Sequence, residues 1–375
     1  MKNTIYKYFF NEFLRFFCIS LFALSLIVWT IQSVNFLDLV TDDGHAFTTY
    51  FTYSFLTISK ICTKLIPFCF LVAMVSTILK LEKDNELIIF WASGLNKIKI
   101  VNLIFRIALI IMFLQLIFTT VLNPTLLNLS RTVIKNSQLQ FIPSLLKEKQ
   151  FNDTIEGLTI FVDKKVDENN YRNIFIRDEG KILSQVGDSS STIFAKSGKI
   201  SEDKTKLILY NGTIQKLKFD GNVSIVSFKK TIFNLSGINT KSISKPKIQE
   251  TSTNKILMCL RGYSVDMHNC DKSEKTLKNL KIEINKRFGM PIIMPLLSLI
   301  CSFLLTSRKN KSIYNFLNKY IYLFIGFLAL TISEIIVRYS GFSWHHTAVF
   351  YFLPLAPLPL FYLLLIKKFK YENLY

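Results

Sequence analysis

The sequence predicts an α-helical integral membrane protein with six transmembrane helices, three on each side of an inserted external all-β domain. Three observations predict it. Uncharged runs long enough to cross a hydrocarbon core of about 30 Å recur along the chain. Between the third and fourth runs, hydrophobicity turns short and alternating, the period of half-buried strands. Lys and Arg gather in alternate connections. Half of the 375 residues are hydrophobic and the mean hydropathy is +0.32, too apolar for an ordinary soluble chain.

The first run, Phe16–Leu37, is longer than a signal-peptide core and lacks a small-residue cleavage site, so it is expected to stay as a helix. The second, Ala46–Leu79, is interrupted only by Lys60 and Lys64, and Pro67 should kink it or mark a packing contact. Lys60 and Lys64 are one helical turn apart and share a face. They read either as cations snorkelling to the interface or as a pair facing a cavity that holds an anion. The stretch Lys80–Gly94 then breaks the apolar third with charge. Asp84 and Glu86 come early, where a helix N-terminus favours acids, and Gly94 sits where a helix would stop. A short amphipathic surface helix is expected, of a kind that can dock on another protein. The third run is Ile107–Leu129, with Asn123-Pro124 near its close.

From Asn128 to about Leu280 the pattern is that of seven or more short strands, among them Leu158–Val162, Tyr171–Ile176 and Thr231–Leu235. Asn211-Gly212 and Asp220-Gly221 are tight hairpin signals. The domain reads as a sandwich or open barrel, its apolar interior either filled by its own side chains or open to a lipid tail. Ile238–Lys255 reads as a linker. Cys259 and Cys270 either pair in an oxidising compartment or remain two thiols, whereas Cys18, Cys62, Cys69 and Cys301 read as apolar packers.

Asp271–Phe288 is helical in pattern and leads into the run Phe288–Ser307. Glu283 and Arg287 stand at i,i+4 with Lys286 beside them. Tyr320–Ser333 reaches spanning length by continuing through Glu334 to Arg338, another i,i+4 pair. It reads as a structural ion pair in the bundle or as a ligand contact. Thr347–Ile366 closes the set. The expected division is 1–127 for helices one to three, 128–280 for the β domain and 281–375 for helices four to six.

The net charge of +20 does not read as a nucleic-acid footprint. Lys2, Lys7 and Arg15 precede the first run, Lys80, Lys83, Lys97 and Lys99 separate the second and third, and Lys367, Lys368 and Lys370 follow the last. The short loops Asp38–Tyr50 and Tyr339–His346 carry no Lys or Arg. By the positive-inside rule both termini are expected in the cytoplasm and the middle domain outside. No phosphate-binding glycine loop, His-Glu-x-x-His helix or Gly-x-Ser-x-Gly elbow occurs. His345 and His346 have no companion ligands, so no metal site is expected. If the protein moves something, a partner must supply the energy.

Together these features resemble the YjgP/YjgQ permease family, the LptF and LptG subunits of the lipopolysaccharide exporter. Lys80-Leu81, Asp84-x-Glu86-Leu87 and Ala92-Ser93-Gly94-Leu95 match the family's K-L-x-x-E/D-x-E-L/I and A-C/S-G-L/F/M pattern. Asp84 stands where Glu is more usual. Glu283-x-x-x-Arg287 matches the family's E-x-x-x-R, and Pro67 its proline in the second helix. The LptF type is the closer resemblance, on Leu158–Val162, Asn173–Asp178 and the lack of basic residues over Ile31–Val40.

The resemblance implies a bacterial inner-membrane permease subunit whose external domain is a periplasmic β-jelly roll. It is not itself an enzyme. Implied partners are the paralogous LptG (or LptF) permease, an LptB ATPase dimer, LptC and periplasmic LptA. ATP and Mg would sit on the ATPase, with no cofactor on this chain. The segment 82–94 resembles the coupling helix that seats in the ATPase, with Glu82, Asp84, Glu86, Leu87, Phe90, Ala92 and Gly94 as its contact residues. Candidates for the lipid phosphates, chosen by depth and face, are Lys60, Lys64, Lys286, Arg287 and Arg338; of these only Arg287 also matches a family position. The alternative is a membrane scaffold that transmits motion from an ATPase without carrying lipid.

Overall fold

The computed structural model describes residues 2–41, 46–137, 146–155, 157–167, 169–179, 190–201, 206–217, 223–234, 247–263, 267, 270, 273–306 and 313–372. The chain divides into two compact units. One holds Met1–Thr30, Thr57–Asn128 and Lys247–Tyr375; the other holds Ile31–Leu56 and Leu129–Pro246.

Among the described residues, six helices are long and apolar enough to cross a membrane. They are span one Asn3–Thr41, span two Phe47–Lys83, span three Lys97–Lys135, span four Glu274–Leu305, span five Tyr320–Tyr339 and span six Trp344–Lys370. Each holds all or nearly all of one of the apolar runs and most extend well beyond it at one end or both, because charged residues at the ends can continue the helical backbone while leaving the hydrocarbon. Span two passes Pro67 without a break. Proline has no N–H to give, so the carbonyl of Thr63, four residues earlier, lacks its usual helical donor. Gln115 of span three supplies one, its Nε2 donating to Thr63 O at 3.3 Å. Span three opens with Asn96 capping the amide of Ile98 and loosens into a π-helical turn at Phe118–Leu122. Span four carries Pro291 and Pro295, and a 3-10 turn at Met290–Ile292 divides it there.

The segment Ile293–Ser302 of span four is buried at every position, so it packs on all sides. Close approach to its neighbours depends on glycine. A Cβ on Gly289 would lie 2.0 Å from the Phe350 ring of span six. One on Gly326 of span five would lie 2.5 Å from Leu71 of span two. Spans one to three add residues such as Phe13, Phe70, Met74 and Ile104 to the same core, and span six adds Leu365 and Phe369.

The second unit contains the inserted all-β domain. Its six described strands are β1 Phe151–Ile155, β2 Leu158–Lys165, β3 Asn170–Asp178, β4 Ser191–Ile200, β5 Lys206–Leu217 and β6 Val223–Asn234. They form one antiparallel sheet in sequence order. The sequence led to more and shorter strands. Asn211-Gly212 is not a hairpin turn but lies inside β5, with Asn211 at φ 51°. Val223–Phe228 and Thr231–Leu235 are likewise joined in β6, apart from Leu235, which is outside the described residues. Asp220-Gly221 also lies outside them.

Asn173 in β3 is a second left-handed residue, at φ 50°. The register places Asn173, Lys196 and Asn211 in one row across β3, β4 and β5. Along this row the inward-facing positions change parity. Tyr171 is buried before it and Ile174 and Ile176 after it; Ala195 is buried before it and Gly198 and Ile200 after it. Leu158, Ile160, Val162, Ile193, Leu207, Leu209 and Phe233 share this core, with Leu146 packed among them. On the opposite face Phe151, Phe161, Phe175 and Phe194 form a row across four strands, with ring centroids 4.6 Å apart for Phe151 and Phe161, 6.3 Å for Phe151 and Phe175, and 5.2 Å for Phe175 and Phe194.

The expected linker Ile238–Lys255 falls outside the described residues up to Pro246. Its remainder forms a 3-10 turn, Ile248–Glu250, and opens a helix, Thr253–Leu260. A disulfide joins Cys259 to Cys270, with the Cα atoms 5.9 Å apart.

Candidate functional site

A cavity of about 400 Å³ lies among spans two, three, four and five. Its lining is graded. Span two contributes Lys60 and Lys64, then Pro67 and Phe68; span four contributes Glu283 and Lys286, then Met290; span five contributes Phe327 and Leu330, then Thr331 and Glu334. Successive spans alternate in direction, so the charged ends of all three fall on one side and the apolar ends on the other. The result is an amphiphilic cavity. Its volume is in the range of sites that bury small ligands.

Four of the five cations singled out in the sequence reach this cavity: Lys60, Lys64, Lys286 and Arg287. Their states differ. Arg287 is 3% exposed. Its Nε donates to Glu283 Oε1 at 3.0 Å, its Nη1 to Thr253 Oγ1 at 2.8 Å, and its Nη2 to the carbonyls of Ile248 and Gln249. Thr253 in turn donates to the carbonyl of Thr120, and Thr119 to that of Arg287. Arg287 thereby ties the segment entering span four to spans three and four, and its guanidinium is committed to protein groups.

Lys286 pairs with Glu334 at 2.9 Å. The sequence suggested Arg338 for Glu334, one turn along the same helix. Lys286, brought in from span four, takes that place, and Arg338 is exposed and outside the cavity lining. Lys60 is half-buried and Lys64 exposed, and among the described residues neither is ion-paired. They are the cations left to meet an anion.

Sequence reasoning passed over Gln115. It sits within an apolar run, is 2% exposed and lines the cavity. The available signal was Pro67, which frees a backbone carbonyl inside a membrane span, where some donor must be found for it. Asn123 also lines the cavity, its Oδ1 accepting from Ser59 and Thr63.

A second candidate site is the surface segment. Its helix is shorter than the expected 82–94, running Glu86–Ala92. Glu82 belongs to the last turn of span two, and Asp84 is exposed in the connecting turn, which closes through Asn85 at φ 58°. Leu87 and Phe90 are buried in the membrane unit. The adjoining face turns outward, with Ile88 62% and Ile89 64% exposed and Ala92 beside them. Glu86 accepts a hydrogen bond from Tyr8 at 3.0 Å, and Lys80 pairs with Glu12 at 2.8 Å, so span one braces the helix and the end of span two. Gly94 takes φ 75° to end the segment, and Lys97 lies over the Trp91 and Phe369 rings.

The sequence profile of the family described as lipopolysaccharide export system permease LptF/LptG matches residues 7–368. An uncharacterized protein, RP871 of Rickettsia prowazekii (strain Madrid E), is 30% identical over 248 residues. That match covers 65% of this chain and 66% of the Rickettsia protein.

Proposed function

Because the chain belongs to the LptF/LptG family of lipopolysaccharide export system permeases, we propose that it is one of two paralogous subunits that lift lipopolysaccharide out of the inner membrane. The glycolipid would leave the outer leaflet and pass through the periplasmic domain to a bridge protein such as LptA, with LptC at the complex. Both termini would lie in the cytoplasm. The observation that carries this reading is the amphiphilic cavity, charged at one end and apolar at the other, with Lys60 and Lys64 at the charged end. Phosphates on the lipid head would meet these cations through charge-assisted hydrogen bonds, and chain segments would lie along Phe68, Phe327 and Leu330.

Arg287 has the role of a framework residue in this reading, since its donors are already used. Power would come from the ATPase on the cytoplasmic side. The surface helix is suited to receive it: Leu87 and Phe90 root it in the membrane unit while Ile88, Ile89 and Ala92 are left outward for the LptB groove. ATP-driven closure of the ATPase dimer would then move the helix and, through Tyr8 and Glu86, span one.

The test is photo-crosslinking of lipopolysaccharide to the assembled complex. Lys60→Glu and Lys64→Glu should each reduce crosslinking several-fold. Unchanged crosslinking in both would remove the cavity from the path. A non-transporting scaffold needs no such cavity, and a purified complex free of glycolipid would favour it.

A further inference from the structure

We infer that Gln115 reads a hydrogen-bond donor on the bound head group, making the cavity a subsite for a phosphorylated sugar rather than for any phosphate-bearing amphiphile. The inference rests on the proposal that a lipid phosphate enters this cavity, and adds a specificity residue to it.

A buried primary amide is costly unless its groups are paired. One half of Gln115 is explained. Its Nε2 donates to the Thr63 carbonyl that Pro67 leaves without a helical donor. This contact also fixes which way the amide faces, since the reverse orientation would set two acceptor oxygens against each other. The other half has no partner: Gln115 Oε1 is buried and accepts no hydrogen bond.

The nearby hydroxyls are already engaged. Thr63 Oγ1 donates to Ser59 O and Asn123 Oδ1, Ser59 Oγ to Asn123 Oδ1, and Thr119 Oγ1 to the carbonyls of Leu116 and Arg287. None of these hydroxyls is left to serve Oε1, and a donor on what fills the cavity would complete it. Lys60 and Lys64 on the same lining call for an anion. An anionic group beside an O–H or N–H is the chemistry of a phosphorylated amino sugar, which carries hydroxyls and amide N–H groups next to its phosphates. A phosphatidylmethanol, a phosphodiester capped by a methyl group, has the anionic phosphate and the chains but no such donor. A space of about 400 Å³ admits one phosphorylated ring edge and the start of a chain, not a whole multi-acyl glycolipid.

The experiment is equilibrium binding of two probes to the assembled complex in nanodiscs: a bisphosphorylated, acylated glucosamine disaccharide and a dioleoyl phosphatidylmethanol. Gln115→Leu is measured in the wild-type chain and in Pro67→Ala, where residue 67 again donates to the Thr63 carbonyl and the structural duty of Nε2 is gone. In both backgrounds Gln115→Leu should weaken the glycolipid by about tenfold and leave phosphatidylmethanol unchanged, the second probe reporting that the site is still folded. Equal loss of both probes, or loss only where Pro67 is present, would mean that Gln115 is purely structural. No loss of either would mean that water serves Oε1, and the inference falls. Lys64→Glu separates this from failure of the parent proposal: it should weaken both probes, and if it weakens neither, the phosphate is not held here at all.

Discussion

Arg287 illustrates how a charge in a membrane span can be worth more as framework than as ligand. Four acceptors from two helices and a turn surround its guanidinium, and the planar fork suits them in a way that a lysine ammonium cannot. Arg287→Ala would leave the partly buried Glu283 without its partner and deprive three further acceptors of a donor, and roughly 3 kcal/mol of stability should be lost. Arg287→Lys should recover little of it. Thermal unfolding of the purified complex would check both, and a small loss in either would mean the cluster is slack. Gly289 makes a simpler case. Any side chain there collides with Phe350, so Gly289→Leu should destabilise by about 1–3 kcal/mol through overpacking. The paired change with Phe350→Ala should recover part of that in the same measurement.

The surface helix Glu86–Ala92 has two apolar faces with different duties. Leu87 is buried in the membrane unit, and Leu87→Ala should lower thermal stability by about 2–3 kcal/mol. Ile89 is exposed, so Ile89→Glu should leave stability within about 0.5 kcal/mol of wild type while releasing the ATPase in a pulldown. Retention of the ATPase by both Ile89→Glu and Glu86→Lys would sink the coupling role. In the sheet, Asn211 holds a left-handed conformation that glycine tolerates and β-branched residues do not. Asn211→Gly should be nearly neutral, and Asn211→Val should cost more than 1 kcal/mol, read from protease resistance of the inserted segment in the full chain.

Across the whole molecule, what the sequence made legible is what depends on local pattern. Uncharged runs located the six spans because hydrocarbon thickness sets a minimum length, and Glu283 with Arg287 could be paired because i,i+4 spacing is a property of one helix. Contacts set by packing between helices were not legible. Glu334 had an in-helix partner in Arg338, yet Lys286 arrives from span four. Gln115 carried no local mark, and its meaning depends on Pro67 in another span. Asn211-Gly212 was misread because a left-handed Asn is common to tight turns and to bends within a strand. The disulfide belongs to this scale too, since it joins the helix Thr253–Leu260 to the approach to span four. Replacing both Cys259 and Cys270 by Ser should lower stability by roughly 2–4 kcal/mol. Thiol alkylation before and after reduction, in intact cells, would report whether the bond forms and on which side of the membrane.

The row Asn173–Lys196–Asn211 makes residue number itself a constraint on the β domain. Three adjacent strands change parity in the same row, and the pairing on either side stays in step because all three change together. Loss of one codon in one strand would leave its neighbours one residue longer through the row, so the pairing on either side would have to slip or bulge there. Single-residue deletions at this row should therefore be far less tolerated than substitutions at the same positions. A deletion scan across β3, β4 and β5 should show intolerance concentrated there, and descendants of this sequence that do shorten the row should do so in neighbouring strands at once.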